Sequence, residues 1–347
     1  MRKHTKRITL FLLSIIIILV TACGTTEETK PPQDVMKEET LNIGITFDTF
    51  VIERWQRDRD IFVSEANDFG ANVNVQNANG DVEEQIKQIS YFIEEGMDVI
   101  VIVAIDAEKL LPVIQRAKKE KIKIIAYDRM IPEANIDLYI SFDNEKVGEL
   151  MAEAISSQLN TTESVIMICG APTDSNVKEV ENGFKNRIEE SGIQILDIVY
   201  AENWLGEYGN EYVNENIENV EKASAIMCGN DEIAGYVIRG LAENLIKNDL
   251  VIVGQDADLE ACQRVVEGTQ YMTVFKEIDQ LASKAAKAAV MLAEDKSAEG
   301  TIIKLFGDEK VPSIILMPIS VTKENMDQEI IDKGYHLKED VYLNIIE

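Results

Sequence analysis

The stretch DVIVIVAIDAEKLLPVIQRAKKEKIKIIAYDRM, residues 98–130, holds one complete strand–helix–strand unit. Its first part, DVIVIVA (98–104), is a continuous apolar run without period-two alternation, as expected of a parallel strand covered on both faces. Asp106 then has the character of a helix N-cap, and Leu110, Leu111, Ile114 and Ala117 recur at helical spacing. A second apolar run, IKIIA (122–126), follows and ends in the polar pair Asp128 and Arg129. Two parallel strands need a crossover between them, and this segment has the length for one.

The same rhythm extends in both directions. Upstream, LNIGIT (41–46) reads as a strand, and a helix from about Arg54 to Phe69 turns Trp55, Ile61, Phe62 and Ala66 inward before Gly70. NVNV (72–75) is the next strand, and Asp81 to Glu95 follows at helical period, with Gly96 ending it. Downstream, the pattern restarts after Asn144 with a helix carrying Val147, Leu150, Met151, Ala154 and Ile155. Strands are expected at 164–169, 193–200, 224–228 and 249–254. Two successive runs of such units in 347 residues predict an α/β protein of two doubly wound parallel-sheet lobes.

Composition narrows the function classes. The chain has 62 acidic and 34 basic residues, a formal net charge of −28, and such a surface repels phosphate backbones. No nucleic-acid partner is therefore expected. The only histidines are His4 and His336, which leaves little scope for imidazole acid–base catalysis or a histidine-rich zinc site. No phosphate-binding glycine loop and no G-x-S-x-G elbow occur. The Asp256–Ala257–Asp258 pair lacks the further spaced ligands a cation needs. No cofactor, metal or catalytic residue is expected, although carboxylate pairs keep a glycosidase formally open.

The N-terminus carries Arg2, Lys3, Lys6 and Arg7, then an apolar stretch from Ile8 to Val20 that is short for a membrane span. It ends in Val20-Thr21-Ala22-Cys23, which resembles the lipobox of bacterial lipoproteins. Residues 1–22 are thus expected to be a signal peptide, Cys23 the lipidated residue that ties the protein to the outer face of the cell membrane, and 23–40 a polar tether. An uncleaved anchor is the alternative. Cys169 and Cys228 each end an apolar strand and fit either buried free thiols or a bridge.

In open parallel sheets, ligands sit beyond the carboxyl ends of the strands. Here those ends carry Asp48, Asp128 and Arg129, Asp174 and Asn176, Asn230, and Gln255 with Asp256. These are planar or charged hydrogen-bonding groups, the inventory that suits sugar hydroxyls. Trp204 lies in a polar setting, ENWLGEYGN, suited to stacking on a sugar ring, whereas Trp55 fits either a plate or a helix-face core residue.

Blocks of the sequence resemble a known family. They are IERWQRDRDIFV (52–63), VQNANGDVEEQ (75–85), AYDRMIPEANIDLYISFDNEKVGEL (126–150), GNDEIAG (229–235) and GQDADLEACQRVVEGTQYMTVFK (254–276). Together they are similar to the periplasmic sugar-binding proteins of the ribose/galactose type, the D-xylose-binding members in particular. The segments 101–111 and 170–222 depart most from that pattern.

The resemblance implies the type I periplasmic binding protein fold, with a three-segment hinge. The N-terminal lobe would take 41–145 plus 277–305, and the C-terminal lobe 146–276 plus 306–347. It also implies a ligand set of Arg54, Asp128, Arg129, Asp174, Asn176, Trp204, Asn230, Asp256 and Lys276, to which Trp55 is added as a tenth candidate contact from its position near a strand end. The expected ligand is D-xylose or a related monosaccharide. The expected membrane partner is an ABC permease or the extracytoplasmic domain of a histidine kinase. A sugar-responsive repressor is excluded because a lipobox stands where a DNA-binding helix pair would be.

Overall fold

The computed structural model describes residues 40–246 and 249–345. The leader and Cys23 lie outside the described residues, as does all of the tether except Thr40. The described residues form one compact unit. Among the described residues, no helix is long and apolar enough to cross a membrane.

The first run consists of β1 (Asn42–Phe47), α1 (Glu53–Asp68), β2 (Asn72–Asn77), α2 (Val82–Glu94), β3 (Val99–Ile102), α3 (Ala107–Lys119), β4 (Lys123–Tyr127) and β5 (Leu138–Phe142). The second is α4 (Asn144–Gln158), β6 (Ser164–Cys169), α5 (Ser175–Ser191), β7 (Gln194–Tyr200), α6 (Glu207–Glu215), α7 (Ile217–Val220), β8 (Ala225–Cys228), α8 (Asp231–Glu243), β9 (Val251–Gln255), α9 (Leu259–Glu267) and β10 (Met272–Phe275). The chain ends with α10 (Ile278–Ala293), β11 (Ile302–Phe306), β12 (Glu309–Leu316), β13 (Ile319–Val321) and α11 (Lys338–Val341).

The central unit is built as its sequence dictates. All four residues of β3 are fully buried, and Asp106 caps α3 by accepting from the Lys109 amide at 3.1 Å. Leu110, Ile114 and Ala117 turn inward from that helix. Gly70 and Gly96, just past the ends of α1 and α2, have positive φ, a conformation that costs glycine least.

Two sheets result, in the orders β11-β12-β5-β4-β3-β1-β2 and β13-β10-β9-β8-β6-β7. All pairings are parallel except β11 with β12 and β13 with β10. The chain passes between the sheets after β5, after β10 and after β12. The third passage corrects the expected boundary at 305–306. Strand β12 belongs to the first sheet, pairing Ser313 to Leu316 with Tyr139 to Phe142 of β5. Pairing supplies a full ladder of backbone partners that a buried segment must find, so the hairpin β11–β12 stays with the first lobe. A single apolar cluster then joins Phe47, Trp55 and Phe62 of the first lobe to Cys262, Val265 and Phe275 of the second.

Cys169 and Cys228 end adjacent strands as buried free thiols, which settles the open choice between thiols and a bridge.

Candidate functional site

The carboxyl ends of both sheets face each other, and all ten residues expected to contact ligand line one cavity between them. Ile52, Asn144 and Gln255 complete its wall.

The first lobe contributes its charges from α1 and the end of β4. Arg54, in the first turn of α1, places Nη2 at 2.9 Å from Asp128 and Nε at 3.4 Å from Asp58. Asp58 is fully buried one turn further along and also accepts from the Tyr127 hydroxyl. Arg129 is held by Asp48 at 2.7 Å and donates to the Ala104 carbonyl at 3.0 Å. Asp128 has φ of 65°, and its carbonyl accepts from Ser141 Oγ at 2.6 Å and Tyr139 Oη at 3.2 Å. Those bonds hold a left-handed backbone that a non-glycine residue rarely adopts.

The second lobe uses helix caps and strand ends. Asp174 caps α5 through the Asn176 amide at 2.8 Å, its other oxygen is taken by Arg129 and Trp204, and the residue lines the cavity. Asn230 caps α8 through the Ile233 amide at 2.9 Å. For these two, the cap and the cavity-facing roles coexist in one side chain. Asp256 follows β9 with φ of 105°, and Lys276 follows β10, with Nζ at 2.7 Å from Asp256. Trp204 lies in a tight 3-10 turn after β7 with φ of 60°, and its Nε1 donates to Asp174 at 3.1 Å. Its indole rests on Gly170, where a Cβ would come within 2.2 Å of the ring. Only glycine fits there.

Bonds cross the seam between the lobes. Arg129 Nε is 2.6 Å from Asp174, Asn176 Nδ2 donates to Asp128 at 2.8 Å, and Ser175 Oγ accepts from the Met130 amide at 2.9 Å. Arg54 also reaches toward Asp256 at 3.7 Å.

Trp55 takes both readings that the sequence left open. It is 2% exposed and packs edge-on to Tyr127, yet it lines the cavity and carries the Arg54 guanidinium 4.3 Å above its ring. Its Nε1 has no hydrogen-bond partner, nor do Asn176 Oδ1 and Gln255 Oε1. A buried polar atom without a partner is costly, so these three mark where a polar guest would be bonded.

Burial opposes charge on Arg54, but Asp128, Asp58 and Asp256 outweigh it and hold its pKa well above the usual arginine value. Burial likewise pushes Asp128 up, and Arg54, Lys276 and Arg129 more than offset this, so its pKa is lowered. At Asp58 burial wins over Arg54 and Tyr127, and its pKa rises to about 6. Among the described residues, no group of three or more His, Cys, Asp or Glu is placed to hold a metal.

Asp58, Tyr127 and Asn144 were missed by sequence reasoning. Asp58 sits four residues after Arg54 on one helix face, a spacing that could have flagged it as a partner. Nothing local marks Tyr127, which meets Asp58 across 69 positions of sequence.

The arrangement offers fixed donors, fixed acceptors and an aromatic plate around one small space between the lobes. Residues 43–297 match the periplasmic binding protein domain family. A D-xylose-binding periplasmic protein of Haemophilus influenzae is 40% identical over 307 residues, covering 87% of this chain and 92% of that protein. Its Escherichia coli counterpart of the same name is also 40% identical, over 85% of this chain and 91% of that one. Among solved structures, an ABC transporter solute-binding protein from Clostridium phytofermentans with bound β-D-glucose superposes with a TM-score of 0.79 at 26% identity. The match covers 86% of this chain and 99% of that one. The chain belongs to the periplasmic binding protein family.

Proposed function

We propose that this protein binds a pentose, D-xylose, reversibly in the cavity between its lobes, outside the cytoplasm and without turning it over. The observation that carries the reading is the convergence of all ten expected contacts on one cavity between the lobes. The relatives named for D-xylose, at 40% identity over most of the chain, support the choice of sugar.

In this reading Arg54, Arg129 and Lys276 donate to sugar hydroxyls, and Asp128, Asp174 and Asp256 accept from them. Asn176 and Asn230 do both, and Trp204 covers one face of the ring. Hinge motion about the three connections opens and closes the clamp, and ligand shifts the balance only because it contacts both lobes. A lipid on Cys23 tethers the clamp to the membrane. The closed form is presented to an ABC permease or, as a co-receptor, to a sensor histidine kinase. Genes for a permease and ATPase beside this one would favour the first partner, and a kinase with its response regulator the second.

Titration calorimetry with D-xylose, D-ribose, L-arabinose and D-glucose tests the ligand. Micromolar or tighter binding of xylose, with the others at least about tenfold weaker, is expected; tenfold corresponds to about 1.4 kcal/mol. Failure of every pentose to bind would sink the reading.

A further inference from the structure

The cavity wall contains one aliphatic side chain, Ile52, among charged groups, amides and two indoles. A pentopyranose has a matching singularity. Four of its five ring carbons bear an oxygen outside the ring, and the fifth is a bare methylene. A hydroxyl pressed against Ile52 would be buried without a hydrogen-bond partner, which is costly. The methylene has nothing to lose there. An orientation with the bare carbon against Ile52 and the hydroxyls against the polar walls therefore costs least.

A second space lies behind Ile52. A groove of about 1000 Å³ on the flank of the seam is lined by Val51, Glu232, Tyr236 and Arg239, and Ile52 lines it too. Ile52 and Asn230 line both spaces, so the partition between cavity and groove is made of one aliphatic and one amide side chain. Ile52 sits just before α1 in extended backbone, with φ of −70° and ψ of 122°, and is half-buried. It packs on the rim of the apolar cluster and is not one of its fully buried members.

We infer that Ile52 is the specificity-determining wall of the site: it faces the ring methylene of a pentopyranose and excludes the hydroxymethyl group that a hexopyranose carries on that same carbon. This rests on the pentose reading above. Trimming Ile52 opens a passage into the groove, where Glu232 and Arg239 offer polar partners to an added hydroxyl.

D-Xylose and D-glucose differ only by that hydroxymethyl group, so the pair isolates the wall. Wild type, Ile52→Ala, Ile52→Val and Val51→Ala are titrated with both sugars by calorimetry. The ratio of glucose to xylose affinity should rise on the order of tenfold or more in Ile52→Ala. It should rise less in Ile52→Val and stay unchanged in Val51→Ala, whose side chain lines only the groove. If Ile52→Ala does not fold, Ile52→Val still carries the test through the sign of its shift. An unchanged ratio in an Ile52 variant that binds xylose, or an equal shift in Val51→Ala, overturns the inference. So does a wild type that binds glucose as tightly as xylose, with the binding site itself left standing. A wild type that binds neither pentose nor hexose overturns the site reading and this inference together.

Discussion

The two halves of the cavity are built by different means. In the first lobe, guanidinium groups are held by buried carboxylates: Arg54 by Asp58 and Asp128, and Arg129 by Asp48. In the second, most polar groups are fixed by the backbone of their own element, with Asp174 and Asn230 as helix caps and Asp256 held at a strand end. Ion pairs taken out of water are expensive and need full satisfaction. Caps cost little, because they answer a need the helix already has. The first half is therefore the fragile one, sensitive to charge and pH, whereas the second is sensitive to shape.

The largest break in this pattern is expected at Asp256, the one second-lobe carboxylate that meets cations from both halves, Lys276 at 2.7 Å and Arg54 at 3.7 Å. Asp256→Asn keeps the shape and tolerates the positive φ but removes the charge. Xylose affinity measured by calorimetry should fall by roughly ten- to a hundredfold, the worth of a charge-assisted bond of about 1.5–3 kcal/mol. An unchanged affinity would mean that the cations are satisfied elsewhere.

Gly170→Ala is a pure test of shape. Its methyl would collide with the Trp204 ring and push the indole off the β6 strand end. Loss of stacking on the order of 1 kcal/mol, about fivefold in affinity, should follow, together with altered tryptophan fluorescence on adding sugar. Equal fluorescence responses in the two proteins would contradict the contact.

The smallest effect sharpens the charge side. Asp58 has its folded pKa raised to about 6, so the folded state holds this proton more tightly than the unfolded chain does. The sign follows: between the ordinary aspartate value and about 6, this group's contribution to stability falls as pH rises, and its destabilising share is complete above about 6. The same proton, when bound, removes one of the two charges that anchor Arg54. Xylose affinity should therefore weaken by a few-fold from pH 7 to pH 5, and Asp58→Asn should flatten that profile; the underlying interaction is on the order of 1 kcal/mol. A profile that survives the substitution would place the titrating group elsewhere.

What the sequence made legible follows the same division. Strand–helix alternation and the cap at Asp106 are local features, written within a few residues, and the structure holds them; the caps at Asp174 and Asn230 emerged only with the structure. Strand ends flagged Asp128, Arg129 and Asp256 because topology alone puts them at the seam. The membership of β12 was not legible, because a strand's sheet is chosen by a partner some 170 positions away, Ser313 beside Tyr139. Nor was the support beneath Arg54. Tyr127 and Asp58 meet only through tertiary packing, and no spacing rule spans their separation. Trp55 stayed ambiguous for a sound reason, since it is core and cavity wall at once.

The central claim is that these two halves close on one pentose. Diffraction from crystals grown with D-xylose tests it most directly. The account predicts density for a single pyranose between Trp204 and the Arg54–Asp128–Asp256 cluster, its bare methylene against Ile52. Density for the sugar anywhere else, or a cavity that takes up none at saturating xylose, would contradict it.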